Sequence, residues 1–120
     1  ADYDDLLIAI LYYFSERIAK AKEHHINDII VDPGFGFSKT LEQNYELLQK
    51  MELLQSLDLP ILIGLSRKSM IYKVLENTPQ DALNGTTALN MLALQKGANI
   101  LRVHDVAAAM ECVKLNEHLI

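Results

Sequence analysis

Three short segments of the chain place polar and charged side chains directly after apolar runs that are typical of buried strands. The segments are residues 32–36 (DPGFG), 64–69 (GLSRKS) and 102–105 (RVHD). Together they offer a carboxylate, guanidinium and ammonium groups, hydroxyls and an imidazole. Such a set can hold an anion and can hydrogen-bond the edge of a polar ring. The residues before each apolar run are ordinary turn material, so the polarity is confined to one end of the runs.

The third segment has an anion-binding pattern. Arg102 and His104 are two residues apart on a predicted strand, so their side chains point to the same face. An Arg that faces inward is costly unless it meets an anion. This predicts a bound anion at the end of the strand. The alternative is an Arg that pairs with a carboxylate on a neighbouring strand.

The second segment opens a helix directly after a strand. Backbone N–H groups at a helix start favour anions, and Lys68 and Ser69 add a charge and a hydroxyl. The spacing is not that of a Walker phosphate-binding loop. The alternative is an ordinary helix start with Arg67 and Lys68 as two solvated cations.

The first segment combines an acid with aromatic residues. The carboxylate of Asp32 can accept two hydrogen bonds from an amidine-like edge, such as that of a pterin or guanine. The alternative is an Asp that bonds its own backbone in an Asx turn. Phe35 and Phe37 lie among glycines and are predicted to be exposed, where they would cover a flat substrate. The alternative is that one of these rings fills the top of the fold.

Alternating helices and strands must position these segments. The apolar spacing predicts a helix over residues 4–22 and a capping box formed by Thr40 and Gln43. The remaining predicted elements are strands at 29–31, 61–63 and 100–103, a short helix to about residue 75, and helices at 87–96 and 106–119, the last capped by Asp105.

This order predicts an α/β fold with parallel strands that are buried on both faces and joined by right-handed crossovers. In such folds the functional residues lie at the carboxyl ends of the strands. The three polar segments occupy those ends, and we therefore expect them to converge on one site.

Composition restricts the function. The 120 residues suffice for one packed domain, and 11 basic against 16 acidic residues give a net charge of −5. This balance argues against nucleic acid and anionic membranes as partners. No apolar run reaches the roughly 18 residues of a membrane span. The single Cys112 cannot form an internal disulfide, which favours a cytoplasmic location. The chain opens with Ala1 inside a helical pattern, as a piece of a longer protein would.

From about residue 29 to its end, the chain resembles dihydropteroate synthase, a folate-pathway enzyme and sulfonamide target. The resemblance rests on residues 31–37 (VDPGFGF), 64–69 (GLSRKS), 84–86 (NGT) and 102–105 (RVHD), which occur in family order and spacing. It implies that residues 1–120 are the C-terminal portion of one pterin-binding (β/α)8 TIM-barrel domain, with strands six to eight and their helices. The implied transferase reaction condenses para-aminobenzoate with 6-hydroxymethyl-7,8-dihydropterin pyrophosphate, giving dihydropteroate and pyrophosphate.

The resemblance also implies a role for each matched residue. Lys68, Arg102 and His104 would be catalytic, and Arg102 and His104 would bind the pyrophosphate. The pterin would contact Asp32, Gly64 and Lys68, and para-aminobenzoate would contact Phe35, Phe37, Arg67 and Ser69. No metal ligand is expected in this chain, because Mg²⁺ of the full-length enzyme would be held by the N-terminal half. The fragment alone is therefore expected to bind no cofactor and to be inactive. Ser38 departs from the family, which often has glycine there.

Three other functions stay open at this level. Another pterin-binding barrel, such as a methyltetrahydrofolate methyltransferase, would share Asp32 but has no need for Arg102 with His104. A general phosphate-binding barrel leaves Asp32 and the aromatic residues unexplained. A non-catalytic fragment would expose sheet edges and self-associate as a homodimer or larger species.

Overall fold

The structure is a helix-rich α/β fold built on a short parallel sheet. It is a computed structural model that describes residues 3–36 and 38–119, excluding the side chains of residues 3–5. The α-helices are α1 (Tyr3–Glu23), α2 (Leu41–Gln49), α3 (Ser69–Leu75), α4 (Leu83–Gln95) and α5 (Val106–Asn116); the strands are β1 (Leu62–Ile63) and β2 (Ile100–Leu101); and 3-10 turns span Met51–Leu57 and Pro79–Asp81. No helix in the described part of the chain is long and apolar enough to cross a membrane.

The three predicted strand regions lie side by side and run parallel. Leu62 pairs with Ile100 and Ile63 pairs with Leu101. On the other side of β1, Val31 forms an isolated parallel bridge with Ile61. The backbone N–H of Arg102 still donates to the carbonyl of Ile63 at 2.9 Å, so the pairing holds the first residue of the third polar segment. The predicted parallel arrangement is confirmed.

Burial of the first strand region on both faces was predicted and is wrong for Ile30. That side chain is 54% exposed, whereas Val31 is 2% exposed. Val31 bridges only Ile61, and in the described residues no further strand lies on its other side. Ile61 and Ile63 lie between two neighbours and are fully buried, as expected for a central parallel strand.

The core lies between the sheet and the helices that precede and follow it. Leu65 and Met70 belong to this core, at 0% and 2% exposure. They anchor the second polar segment at both ends. The core's other large buried side chains are Leu7, Leu47, Leu48, Met51, Leu54, Ile61, Ile63 and Ile71.

Local sequence signals set the ends of two helices. At the start of α2, Thr40 Oγ1 accepts the N–H of Gln43 at 3.1 Å and Gln43 Oε1 accepts the N–H of Thr40 at 2.9 Å. This is the predicted capping box. Gly97, at φ +107°, follows the end of α4. Both predictions are confirmed.

Two predictions about helix starts are wrong. Helix α4 begins at Leu83, four residues earlier than expected, and it includes Gly85. A Cβ at Gly85 would lie 2.5 Å from Ile71 Cγ2, so the glycine permits close packing of α4 on α3. Asp105 precedes α5 but makes no side-chain capping bond. Its carboxylate binds Arg67 instead.

Candidate functional site

The polar segments converge at the carboxyl ends of the three parallel strand regions. Arg102 Nη1 lies 3.0 Å from Asp32 Oδ2, which joins the third segment to the first. Lys68 Nζ donates to the carbonyl of Phe35 at 2.6 Å, which joins the second segment to the first. The expected convergence is confirmed by these contacts.

Asp32 forms the Asx turn that was the alternative to binding a ring edge, and it is also the carboxylate that pairs with Arg102. Oδ1 accepts the N–H of Gly34 at 3.0 Å in an Asx turn, and Oδ2 accepts Arg102. A carboxylate has about four acceptor positions, so each oxygen keeps one for a ligand. The Asp32 side chain is 38% exposed, which leaves these positions open to solvent.

Arg102 depends on a glycine opposite it. A Cβ at Gly64 would lie 2.7 Å from Arg102 Nη2 and 3.1 Å from Cζ. Gly64 therefore leaves the space in which the guanidinium reaches Asp32. The Arg102 side chain is 60% exposed, so it remains available to an anion from solution. Pairing with a carboxylate on a neighbouring strand was the alternative to anion binding, and the structure has this pair.

Two lysines hold the loop after the first strand region. Lys39 Nζ donates to the carbonyls of Pro33 and Gly34 at 3.3 and 2.7 Å, and Lys68 holds the next carbonyl, that of Phe35. Burial lowers the pKa of Lys39, and the Asp32 carboxylate opposes this shift. Burial also lowers the pKa of Lys68, with a further decrease from Arg102, an opposing effect of Asp32 and a decrease from Lys39. The loop is thus fixed by two partly desolvated ammonium groups.

The remaining predicted site residues lie around this cluster. Ser69 is exposed as the first residue of α3, and His104 is exposed while its backbone N–H donates to Ser66 Oγ at 3.1 Å. The predicted exposure of the Phe35 ring is wrong, because Phe35 is 5% exposed and belongs to the core. Filling the top of the fold was the alternative, and it describes this ring. Phe37 lies outside the described residues.

A cleft of about 690 Å³ opens beside Lys68 and Ser69. Its lining is largely cationic and aromatic, which suits an anionic aromatic molecule. The lining residues are Phe35, Gly36, Lys39, Leu41, Asn44, Arg67, Lys68, Ser69, Tyr72, Lys73 and Pro79. Among the side chains that the structure describes, no group of three or more His, Cys, Asp or Glu could hold a metal ion.

The roles of three residues that shape the site were not predicted from the sequence. Lys39 holds the loop carbonyls, and Asn44, 5% exposed, accepts the N–H of Gly36 at 3.1 Å. Asp105 binds Arg67 through both oxygens. Asn44 is a polar residue on a largely apolar face of α2, which is a weak sequence signal for a buried hydrogen-bonding role. The partner of Asp105 lies 38 positions away and is set by the tertiary structure, whereas the partners of Lys39 lie five and six positions away in its own loop.

We predict that Gly64→Ala displaces the Arg102 guanidinium without unfolding the chain. Binding of inorganic pyrophosphate, measured by calorimetry, should weaken about tenfold or more, as expected for the loss of a charged hydrogen bond. Arg102→Ala should have a similar effect. The double variant should bind no more weakly than Arg102→Ala alone. Wild-type affinity in Gly64→Ala would refute the prediction.

The lowered pKa of Lys68 predicts a pH-dependent contribution to stability. The folded chain releases this proton more readily than the unfolded chain, so folding is favoured as the pH rises from the lowered pKa towards the usual value of about 10.4. The unfolding free energy of wild type minus that of Lys68→Met should therefore increase across this window in urea titrations. Lys73→Met, which removes an exposed lysine from α3, is the control, and its unfolding free energy minus that of Lys68→Met should show the same increase. A difference between wild type and Lys68→Met that does not change with pH would contradict the assignment.

Known proteins of similar sequence are dihydropteroate synthases. The chain is 40% identical to the dihydropteroate synthase of Escherichia coli K12 over 117 residues, which is 96% of the chain and 42% of that protein. The chain thus spans less than half the length of this curated relative. The resemblance found in the polar segments is confirmed.

Solved structures give the same result for the fold. A dihydropteroate synthase from Coxiella burnetii in complex with pteroic acid superposes with a TM-score of 0.95 at 36% identity, covering 99% of this chain and 45% of that one. The 7,8-dihydropteroate synthase of Vibrio fischeri gives 0.89 at 44% identity, covering 96% and 43%. The fold is therefore a partial (β/α)8 TIM barrel, as predicted. The family model for pterin binding enzymes matches residues 1–104, and this chain belongs to that family.

Proposed function

We propose that this chain is the C-terminal portion of a dihydropteroate synthase and carries one side of its active site. The observation that carries the proposal is the cluster of Asp32, Lys68 and Arg102 at the carboxyl ends of the strands. Asp32 and Arg102 are 3.0 Å apart, and Lys68 Nζ is fixed 2.6 Å from the carbonyl of Phe35. One cluster thus presents an acceptor for a ring edge beside fixed positive charge.

In the proposed reaction the pterin edge donates two hydrogen bonds to the free acceptor positions of Asp32. Lys68 contacts the pterin ring and the aminobenzoate side of the pocket. Gly64 contributes to the pterin contact, because the absence of a side chain there leaves the space in which Arg102 reaches Asp32. This arrangement would orient the pterin with its pyrophosphate group towards the third polar segment.

The leaving group departs as an anion, and Arg102 and His104 would hold it. Positive charge fixed where negative charge develops lowers the barrier. The bond from the methylene carbon to oxygen breaks, and its electron pair leaves with the pyrophosphate. The pterin ring shares the resulting cation, so cleavage runs ahead of attack by the amine. The amine of para-aminobenzoate then forms the new carbon–nitrogen bond and loses a proton.

The second substrate would occupy the cleft beside α3. Ser69 would bind the carboxylate of para-aminobenzoate, and Phe35 lines the same cleft. The resemblance also implies Phe37 and Arg67 as contacts of this substrate. Sulfonamides would compete in the same place.

Magnesium does not fit the described residues of this chain, because no acidic or histidine cluster among them could hold it. Any Mg²⁺ ligands of the whole enzyme would therefore belong to the remainder of the barrel. A cytoplasmic location is part of the proposal, since the lone Cys112, 3% exposed, suits a reducing compartment.

A methyltransferase is less favoured, because it gives Arg102 and His104 no anion to hold.

Titration of dihydropterin pyrophosphate into this chain, followed by calorimetry, tests the proposal. We expect binding that Asp32→Asn weakens at least about tenfold, because a charged acceptor is lost. Asp28→Asn, which alters an exposed Asp before the first strand region, is the matched control and should bind like wild type. Turnover by the chain alone is expected to be absent.

If the chain does not bind, the same variants are tested in the E. coli enzyme with this chain replacing the matched portion. Activity there that Asp32→Asn abolishes would support the proposal. A folded but inactive chimera, or equal binding by wild type and Asp32→Asn, would refute it.

We further propose that the isolated chain self-associates through its sheet edge. Ile30 is 54% exposed next to the Val31 bridge, and an unpaired apolar edge is a template for another strand. Light scattering should give a mass above the 13.5 kDa of one chain. Ile30→Lys should shift the population towards monomer, whereas Ile26→Lys, in the preceding turn, should not. A monomeric wild type would exclude the idea.

A further inference from the structure

The loops that follow β1 and β2 are fastened to each other at two consecutive residue pairs. Ser66 Oγ accepts the backbone N–H of His104 at 3.1 Å. Next to it, Arg67 Nε and Nη2 donate to Asp105 Oδ2 and Oδ1 at 3.0 and 3.1 Å. Each member of the Arg67–Asp105 ion pair is the chain neighbour of a proposed catalytic residue, Lys68 or His104.

Arg67 is also tied to the segment between α3 and α4. Nη1 donates to the carbonyls of Pro79 and Gln80, both at 2.8 Å. The guanidinium thus uses four of its five N–H groups within the chain. The backbone N–H of Arg67 donates to the buried hydroxyl of Thr86 at 2.9 Å. These contacts leave the guanidinium one N–H for a ligand.

The backbone of Arg67 adopts a conformation that disfavours a side chain. Its φ is +54°, in the left-handed region, within a turn closed by the Lys68 N–H and the carbonyl of Leu65. Glycine would adopt this conformation without steric cost. The contacts of the guanidinium offset that cost here, and strained residues held in this way concentrate at functional sites.

We infer that Arg67 and Asp105 are a positioning pair that sets the distance between the two halves of the site. One half contains Lys68 and Ser69, and the other contains Arg102 and His104. The inference deepens the proposed function and rests on it, because one half would hold the carboxylate of para-aminobenzoate and the other the departing pyrophosphate. In this role Arg67 acts through its neighbours, which replaces the direct contact with para-aminobenzoate that the resemblance implies.

Positioning and direct binding make different kinetic predictions. If the pair only sets the relative position of the two halves, Ser69 still binds the carboxylate of para-aminobenzoate, and Arg102 and His104 still bind the pyrophosphate. Its loss then lowers kcat and leaves both KM values nearly unchanged, and a displacement of about 1 Å can cost about 100-fold in rate. If Arg67 binds para-aminobenzoate directly, its loss raises the KM for that substrate.

The kinetic test uses the E. coli enzyme with this chain in place of the matched portion. Asp105→Ala removes the partner without removing a helix cap, and Arg67→Gly suits the left-handed backbone while removing the guanidinium. Both should lower kcat by about 10- to 100-fold, and the double variant should be no worse than either alone. A raised KM for para-aminobenzoate in Arg67→Gly alone, or unchanged kinetics with only a lower Tm, would overturn the inference.

A second measurement on this chain does not depend on the proposed function. Amide hydrogen exchange followed by NMR should be at least about tenfold faster at His104 and Arg67 in Asp105→Ala. Glu52→Gln, which removes the ion pair of Glu52 with Lys96 away from the site, is the matched control and should leave both rates unchanged. If the exchange rates of His104 and Arg67 in Asp105→Ala equal those of the wild type, the pair does not hold the two loops together. Faster exchange together with an inactive chimera would retain the fastening and reject the synthase.

Discussion

The parallel alignment of Val31, β1 and β2 is the constraint on which the site depends. Backbone hydrogen bonds from Leu62 to Val31 and from Arg102 to Ile63 bring three chain segments to one edge. These segments are distant in sequence, and Asp32 and Arg102 are separated by 70 positions. Because the strands are parallel and end together, every loop that follows one of them enters the same region. The close-packed residues Ile61 and Ile63 keep this alignment in register.

The second constraint is electrostatic. Lys39, Lys68 and Arg102 surround the single carboxylate of Asp32 in a chain whose net charge is −5. The backbone carbonyls of residues 33–35 accept hydrogen bonds from the two ammonium groups and partly compensate for their desolvation. The compensation is incomplete, as the lowered pKa values of both lysines indicate. An incoming dianion would supply the missing negative charge. The ammonium groups whose desolvation disfavours folding are therefore the groups that would favour binding of an anion.

Features encoded by neighbouring residues could be predicted from the sequence. The capping box of Thr40 with Gln43 and the helix end at Gly97 depend on local hydrogen bonds and backbone freedom, and both were predicted correctly. The parallel arrangement of the strands followed from the alternation of helices and strands along the chain. Features that depend on tertiary partners could not be read in this way. Asp105 is a residue type that often caps helices, yet its carboxylate pairs with the guanidinium of Arg67 from another loop.

Gly85 and Ile30 show the same limit for packing. The helix was predicted to begin at residue 87, after Gly85, but this glycine lies inside α4, where it permits close contact with Ile71. Ile30 has the residue type of a buried strand, but burial needs a neighbouring layer that the described residues do not supply. The candidate site was found more reliably than these details, because it required only that the strand ends meet. The roles within it were less predictable, since Arg102 forms the ion pair that was the alternative to anion binding and yet remains 60% exposed.

The geometry of Arg102 explains how one residue can serve both interpretations. Its guanidinium has five N–H donors, and within the described structure one nitrogen engages Asp32 while the side chain stays 60% exposed. Asp32 orients the group and keeps it next to Gly64, and the outward N–H groups remain for an anion. An Arg held in this way loses less conformational freedom on binding than a free surface Arg. Pairing with Asp32 is therefore compatible with anion binding and prepares the guanidinium for it.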